Sequence, residues 1–431
     1  MPDNPKSDVS IVVAGKELSR WLEYSIESNM LQTVDSFHFA VANPRGKLSG
    51  EFKEFDEAKV YVDGSLQMTG YIDDVSTGAD PRSGPTLELI GRDRFGQLTD
   101  KTSEPRTFNN EHLADIASKL SVPFVEEWIY DNEANRTRQK EARSRVSRRT
   151  RISEQEKAAN KRKRDALTSL GSDPQIQDQK NAALLAVGKL NQQAIEQSKS
   201  SSEDISKAKA NLSRIKAENF PRVKVEKGDR PIEVIVKYAQ KVGVLVWLSA
   251  DGKGILARPN YNQPVSGNLW QYIREKPEST KNNCLGSRAI RSGRGRFRKY
   301  RLLGYAANTR QTSGEGSRFD QRFEDPDVTL EGRELVIARA QGQTLRQTAA
   351  ELERDVQRRK FDAIICDYIV RGHFQDIGSS RNLWTVDTLV NVDDDLNDVH
   401  EKMYVVRRRF TGGNEGQRTE LTLRRAGIFY P

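Results

Sequence analysis

Cysteine is scarce in this chain. Cys284 and Cys366 are the only two among 431 residues, and they lie far apart in no CxxC or metal-ligand spacing. A reducing compartment is the expectation. Histidine is almost as rare, with only His38, His112, His373 and His400. None stands three to five residues from another His, a Cys or a repeated carboxylate in a zinc-like pattern, and no Ser–His or Cys–His pairing is visible. Zinc chemistry and nucleophilic catalysis therefore have no support, and neither cofactor, metal nor enzymatic activity is expected. Long apolar runs are missing too: none approaches the roughly 18 residues of a membrane-spanning helix. "MPDNPKSDVSIVVAG" lacks the cationic start, apolar centre and cleavage site of a secretion signal. A soluble protein made in a cytosol, with no direct membrane insertion, is expected.

What the chain has in quantity is charge of both signs, 70 Lys or Arg against 61 Asp or Glu, for a net +9. At 48.8 kDa it exceeds what one core usually organises, and a mean hydropathy of −0.74 suits folded units with a polar appendage. Charge locates that appendage. Residues 131–219 hold 20 Lys or Arg and 12 Asp or Glu, a net +8, so the rest of the chain is close to neutral. The same segment has no aromatic and one proline, and is rich in Ala, Gln, Lys, Arg and Ser, which favour helix. "GSDP" at 171–174 breaks it near the middle. A long helical hairpin is predicted, with Ile176, Leu184, Ile195, Ile205, Leu212 and Ile215 as an incomplete seam in its second arm. The first arm has fewer apolar positions and is expected to be partly disordered without a partner. Its cations from 136 to 164 would suit a polyanion, but interspersed acids favour a solvated or protein-docking arm.

Elsewhere the pattern is strand-like. "SDVSIVVAG" alternates Val9, Ile11 and Val13, "DSFHFAV" alternates Phe37 and Phe39, and Asp63-Gly64 splits "AKVYVDGSLQMTGYIDDV" as a tight hairpin turn would. "TLELIG" is expected to pair with the strand ending at Val75. "NNEHLADIASKL" reads as a short helix capped by Asn109 or Asn110, with Leu113, Ile116, Ala117 and Leu120 on one face. After the basic segment, "DRPIEVIVKYAQKVGVLVWLSADGKGILARPN" gives a helix, a strand, a turn at Asp251-Gly252 and another strand. The second half repeats the strand theme in "RKYRLLGYAAN", "FDAIICDYIVRGHF", "LWTVDTLVNVDD", "EKMYVVRRRFTG" and "RTELTLRRA". A helix interrupts it with Leu345, Ala349, Leu352 and Val356 on one face.

Three charged stretches could carry function. "GRDRF", with Arg92 and Arg94, closes the first strand series. "SGRGRFRKYR" sets Arg294, Arg296 and Arg298 around Phe297 and Tyr300, as an RNA-binding stripe or a channel-facing basic loop would. "NVDDDLNDVH" groups Asp393, Asp394, Asp395 and Asp398; it lacks the Gly and closing Glu of an EF-hand, and a turn is the expected role.

The order of segments in the second half, "NNCLGSRAIRSGRGRFRKYRLLGYA", "EDPDV", "QTAAELERDVQRRK", "YIVRGHF", "LWTVDTLVNVDDD" and "TELTLRRAGIFYP", resembles the baseplate hub proteins of contractile-tailed phages. That family includes the phage Mu hub and late control protein D and is related to type VI secretion spike proteins. "GYIDDV" followed by "LIGRDRFGQLTD" is similar to the close of the family's first barrel. The resemblance covers roughly 8–130 and 220–431, and the insertion departs from it.

It implies a mainly β protein with α/β parts. Residues 1–103 would form a first tube-like antiparallel β-barrel and 104–130 with 220–265 a small α/β middle domain, while 131–219 stays, outside the resemblance, the inserted basic helical hairpin read from its composition. Residues 266–431 would form a second tube-like barrel with an inserted helix at about 344–360. The implied function is a homotrimeric symmetry adaptor that joins the six-fold tail tube to the three-fold central spike and nucleates the tube. Its partners would be the tail tube, spike and tape-measure proteins, with DNA passing transiently through the channel, in a virion baseplate assembled in the host cytoplasm. Arg92, Arg94, Arg294, Arg296 and Arg298 become candidates for a partner or channel surface, with Arg92 and Asp93 satisfying each other or a neighbouring chain. Arg148, Arg149, Arg151, Arg162 and Arg164 become candidates for docking wedge or sheath proteins. The alternative is a nucleic-acid-binding protein that uses the Arg-rich insertion.

Overall fold

The computed structural model describes residues 7–48, 50–80, 84–131, 220–273, 282–305, 318–338, 345–375, 382–414 and 416–427. Two compact units emerge, one of residues 1–130 with 220–431 and one of 131–219. The helical hairpin expected at 131–219, with its seam and its arginines, lies outside the described residues.

The chain opens with β1 (Val9–Val13), β2 (Lys16–Leu18), β3 (Glu23–Asn29), β4 (Ser36–Ala42), β5 (Glu57–Val62), β6 (Ser65–Asp80) and β7 (Gly84–Asp93). Alternation does the work here. Val9, Ile11, Val13, Phe37 and Phe39 all point into one core and are at most 3% exposed, because successive side chains of a strand face opposite ways. The Asp63-Gly64 turn joins β5 to β6 with both residues at positive φ, 47° and 71°, and Leu89 of β7 pairs with Val75 of β6.

A middle layer follows: α1 (Arg94–Asp100), β8 (Arg106–Glu111), α2 (Leu113–Ser121), β9 (Trp128–Asp131), β10 (Phe220–Val225), α3 (Pro231–Val242), β11 (Leu245–Leu248) and β12 (Gly254–Ala257). The helices bury Phe95, Leu98, Ile116, Leu120 and Ile235 against Phe108, Val223 and Val225 of the β8–β10 pair. Neither Asn109 nor Asn110 caps α2, since both belong to β8, where Asn109 pairs with Arg222. His112 takes that place, its Nδ1 accepting from the Ala114 N–H at 3.2 Å. The chain leaves and re-enters this layer at neighbouring points. Tyr130 packs edge-on against His112 with ring centres 5.0 Å apart, and the adjacent Glu111 pairs with Phe220.

The remaining elements are β13 (Val265–Gln271), β14 (Cys284–Arg291), β15 (Lys299–Tyr305), β16 (Arg318–Glu324), β17 (Glu334–Ala338), α4 (Leu345–Asp362), β18 (Ile364–Arg371), β19 (Thr388–Asp394), β20 (Val399–Gly412) and β21 (Arg418–Arg425). "RKYRLLGY" does not join the main sheet. It forms β15 at the centre of a separate three-stranded sheet, whose Tyr300 and Leu302 pack on Leu352 and Val356 of α4.

Thirteen strands form one sheet, in the order β14-β18-β21-β20-β3-β4-β7-β6-β5-β1-β2, with β19 on β20 and β13 on β19. The fold is thus mainly β, and its two halves meet at β20. Residues 399–405 of that strand pair with β19 and residues 407–412 with β3, while β21 runs along both stretches.

Neither half closes into a barrel through a backbone ladder among the described residues. Side chains bridge the gaps instead. Asn283 accepts from the Trp270 N–H (3.0 Å) and donates to Asn268 O (2.8 Å), and Asn282 does the same with the Tyr272 N–H and C=O (2.9 and 3.1 Å). These amides clip β14 to β13. In the first half the Trp21 indole N–H donates to Val9 O at 2.7 Å. Gln417 binds both backbone groups of Ser7, at 2.6 and 2.7 Å. A carboxamide carries one donor and one acceptor side, so it can stand in for a peptide group where the strands diverge.

Candidate assembly surface

The two sheet halves join at the β3–β20 pairing. Beneath it, Phe410 is fully buried, with Arg408 stacked on its ring at 4.1 Å and His373 at 4.4 Å. His373 contacts the Tyr24 hydroxyl at 2.8 Å and the Thr419 hydroxyl at 3.1 Å, and Gln417 donates to the same Tyr24 oxygen at 3.0 Å. Burial, helped by the nearby Arg408 charge, pushes the His373 imidazole down to about 3, so it is neutral in the folded protein. Arg408 is itself 3% exposed and donates to Gln67, Ser28 and Trp384 O. Desolvation pulls its guanidinium down to about 10, against the pull of Asp35.

The outer face of the junction is polar. Arg407 grips Glu27 through two bonds of 2.6 and 2.9 Å, and Arg409 lies 3.9 Å from Glu27 and 3.8 Å from Glu420. The hydrogen bond from Arg407 holds the Glu27 carboxyl below its ordinary range. A face of this kind can meet water or a passing polymer without offering apolar grip.

Arg92 and Asp93 do not satisfy each other. They are consecutive residues of a strand and point to opposite faces, so each finds a different partner. Arg92 is held by Asp73 (2.6 and 2.8 Å) and Asp100 (2.6 and 3.3 Å). Asp93 turns inward, accepts from the Phe95 N–H at 3.0 Å as the cap of α1, and accepts from the Asp35 N–H at 3.1 Å. Burial, and then the Asp35 carboxylate, raise the Asp93 carboxyl well above its usual range. Arg94 pairs with Glu57 at 2.7 Å. Arg92 and Asp93 end a strand, and Arg94 and Phe95 start a helix.

The basic strand is neutralised from within. Arg296 reaches Asp325 and Asp327, Arg298 reaches Glu324, and Arg301 binds Asp320. Phe297 is covered by Arg333 and Arg359, 5.3 and 5.6 Å from its centre, and Tyr300 is 1% exposed. Bases have no free ring to stack on there. Of the five arginines singled out in described parts of the chain, Arg294 alone is exposed with no ion pair among the described residues; Arg92 and Arg94 sit at the β7–α1 end, and Arg296 and Arg298 beside the acids at 324–327.

The aspartate run is a turn built round one buried member. Asp394 accepts from Tyr368 Oη, from the Leu396 and Asn397 N–H groups and from Asn397 Nδ2, at 2.7–3.0 Å. Asp393, Asp395 and His400 bring ligand-type atoms within 4.8 Å of one another on the outside. There Asp393 already meets Tyr272 Oη at 2.6 Å and His400 Nδ1 at 2.5 Å. Burial pushes the Cys284 thiol up to about 12 and the Cys366 thiol to about 11, which disfavours the reactive thiolate. Arg148, Arg149, Arg151, Arg162 and Arg164 lie outside the described residues.

Sequence reading misses Asn282, Asn283, Gln417, His373 and Arg408. Only "NN" ahead of a strand offered a signal, and it reads as an ordinary turn.

Residues 8–93 match the family model described as the N-terminal domain of Mu phage baseplate assembly protein GpP-like. No curated protein matches the sequence. Among solved structures, the chain resembles the tail protein from Neisseria meningitidis MC58, with TM-score 0.67 and 20% identity over 99% of this chain and 98% of that one. It also resembles the 43 kDa tail protein of prophage MuSo2 from Shewanella oneidensis, with TM-score 0.66 and 18% identity over 98% and 100%. An E. coli component of the type VI secretion system matches at TM-score 0.50 and 8% identity over 98% and 78%. Residues 8–93 thus match a first domain of the Mu phage baseplate-assembly type, in a chain whose fold is shared with phage tail proteins and a type VI secretion component.

Proposed function

We propose that this protein is the baseplate hub of a contractile phage-like tail, a homotrimer that adapts the six-fold tail tube to a three-fold central spike and nucleates the tube. One observation carries the reading: a single chain holds two similar sheet halves fused through β20. Three such chains present six similar surfaces at one end while keeping three-fold symmetry at the other. No residue is assigned chemistry. The protein's work is recognition through strand edges and loops, with the tube protein above, the spike below and the tape-measure protein and then DNA in the channel. The polar β3–β20 face, with its alternating Glu27, Arg407, Arg409 and Glu420, suits a wall along which a polymer slides.

The domains assigned to this reading are 1–103 and 266–431 for the two tube-like parts and 104–130 with 220–265 for the layer between them. Residues 131–219 are an arm toward wedge or sheath proteins. Tube nucleation has a direct test. Substoichiometric purified protein added to soluble tail tube subunits should remove the lag before tubes form and leave one copy of the hub at one end of each tube. An unchanged lag, with tubes lacking the protein at their ends, would overturn that role. Nucleic-acid binding is the weaker reading, because the arginines of "SGRGRFRKYR" are mostly engaged by acids of their own sheet.

A further inference from the structure

Four strands of the first half, β3, β4, β7 and β6, match β14, β18, β21 and β20 of the second residue by residue, and the match exposes an unfinished junction. β6 and β20 are the two longest strands, and each carries a bulge at the same place relative to its neighbours. In β6 the register shifts between Ile72 and Asp74, which face Gly91 and Ile90 of β7. In β20 it shifts between Val405 and Arg407, which face Leu423 and Thr422 of β21. Carrying this alignment across the sheet sets β4 on β18, with Phe37 and Phe39 in the places of Cys366 and Tyr368. It then sets β3 on β14, with Ile26 in the place of Ala289.

Within these four strands one contact breaks the equivalence. Beyond its bulge, β20 pairs with β3 through Arg407–Asn29 to Gly412–Tyr24. Beyond its own bulge, β6 has β7 on one side and no strand on the other among the described residues, and β14 likewise has β18 alone. Exposure follows. Phe410 of β20 and Ile26 of β3 are fully buried, whereas Thr77 at the matching place in β6 is exposed, and Ala289 in β14 is half-exposed. Open edges of this length are templates for another strand. The two are complementary in charge: residues 73–80 contain Asp73, Asp74 and Asp80 and no cation, and β14 contains Arg288 and Arg291 and no anion.

From this we infer that β6 of one chain pairs with β14 of a second copy, in the register by which β20 pairs with β3 inside the chain. The inference rests on the trimeric hub reading and names the contact that would close the ring. Val75 then faces the partner subunit's Arg291, Thr77 the partner subunit's Ala289, and Gly78 the partner subunit's Arg288. The contact is head-to-tail, and in a three-chain hub its repetition closes a ring in which junctions within and between chains alternate.

The test uses the full chain as two single variants, Thr77→Cys and Ala289→Cys. Each alone should stay single-chain on a denaturing gel after mild oxidation, the mixture should give a two-chain band, and the double variant a three-chain band. A Thr77→Cys and Thr107→Cys mixture, with the second site on β8, should give none. If native mass shows three chains but the mixture stays uncrosslinked, the contact lies elsewhere and the inference fails while the hub reading stands. A single-chain native mass that persists when the spike protein is added, with no crosslink, overturns both. Should either cysteine variant unfold, Arg288→Glu serves instead. It puts an anion beside the acidic edge of β6 and should weaken association about three-fold or more; unchanged association would overturn the contact.

Discussion

Replacing His373 by Gln should alter the pH dependence of stability more than stability itself. An amide can keep both hydroxyl contacts, to Tyr24 and Thr419, but it does not titrate. His373 is fully buried, and its imidazole stands at about 3 instead of the ordinary 6.5. The unfolded chain therefore takes up this proton first as pH falls. The neutral histidine's contribution is whole above 6.5 and is lost progressively as pH drops toward 3. At about 1.36 kcal/mol per pH unit, lowering the pH from 6.5 to 4.5 costs the native protein about 2.7 kcal/mol at this site. The carboxyls of Asp35 and Asp93 act the other way in the same window. Burial raises both, Asp35 to about 7, so the folded protein holds their protons and gains stability as pH falls. The wild-type curve alone is thus a mixture, and the difference between wild type and His373→Gln isolates the histidine. Urea unfolding followed by tryptophan fluorescence at pH 7 and 4.5 measures it. The gap should move by about 2.7 kcal/mol in favour of the variant; curves that stay parallel within about 0.5 kcal/mol would refute the assignment of a neutral, buried His373.

Other expectations concern the seams, the arm and the polyanion question. Gly412→Ala would place a Cβ 2.3 Å from the Tyr24 ring, so the buried ring or the strands that hold it must shift. A loss of roughly 3 kcal/mol or more in unfolding free energy is expected, and a loss below about 1 kcal/mol would contradict the close approach. Asn283→Ala removes two clasp bonds and leaves the Trp270 N–H and Asn268 C=O unpaired. It should cost about 1–3 kcal/mol and speed hydrogen exchange at Trp270 without changing exchange in β4. Deleting 131–219 and joining Tyr130 to Phe220 through a short linker should leave melting and self-association of the rest intact while baseplates fail to complete; normal baseplates would remove the docking role. The isolated insertion should bind double-stranded DNA weakly and without sequence preference, with affinity falling steeply as salt rises; tight binding at physiological salt would favour the nucleic-acid reading.

The sequence displays what is periodic. Val9, Ile11 and Val13 or Phe37 and Phe39 announce strands because alternate burial leaves a period of two. Asp63-Gly64 announces its turn because few residue pairs tolerate two positive φ values. Contacts far apart in the chain leave no such trace. Gln417 meets Ser7 across 410 positions, and His373 meets Tyr24 across 349, so neither is visible before the sheet is assembled. "RKYRLLGY" misleads for a related reason: its alternation correctly marks a strand, but strand character does not say which sheet it joins. Arg92 and Asp93 mislead because adjacent opposite charges look like a pair, whereas neighbours in a strand face opposite ways. The arginines of "SGRGRFRKYR" seem free only until Asp320, Glu324 and Asp325 fold back beside them.

The symmetry-adapting role stands or falls most directly on the native mass of the purified full-length chain, free of nucleic acid and at moderate salt. The account predicts a species of three chains at micromolar concentration, persisting at salt high enough to screen surface charge. A mass of one chain, unchanged on concentration and on addition of the spike protein, would contradict it.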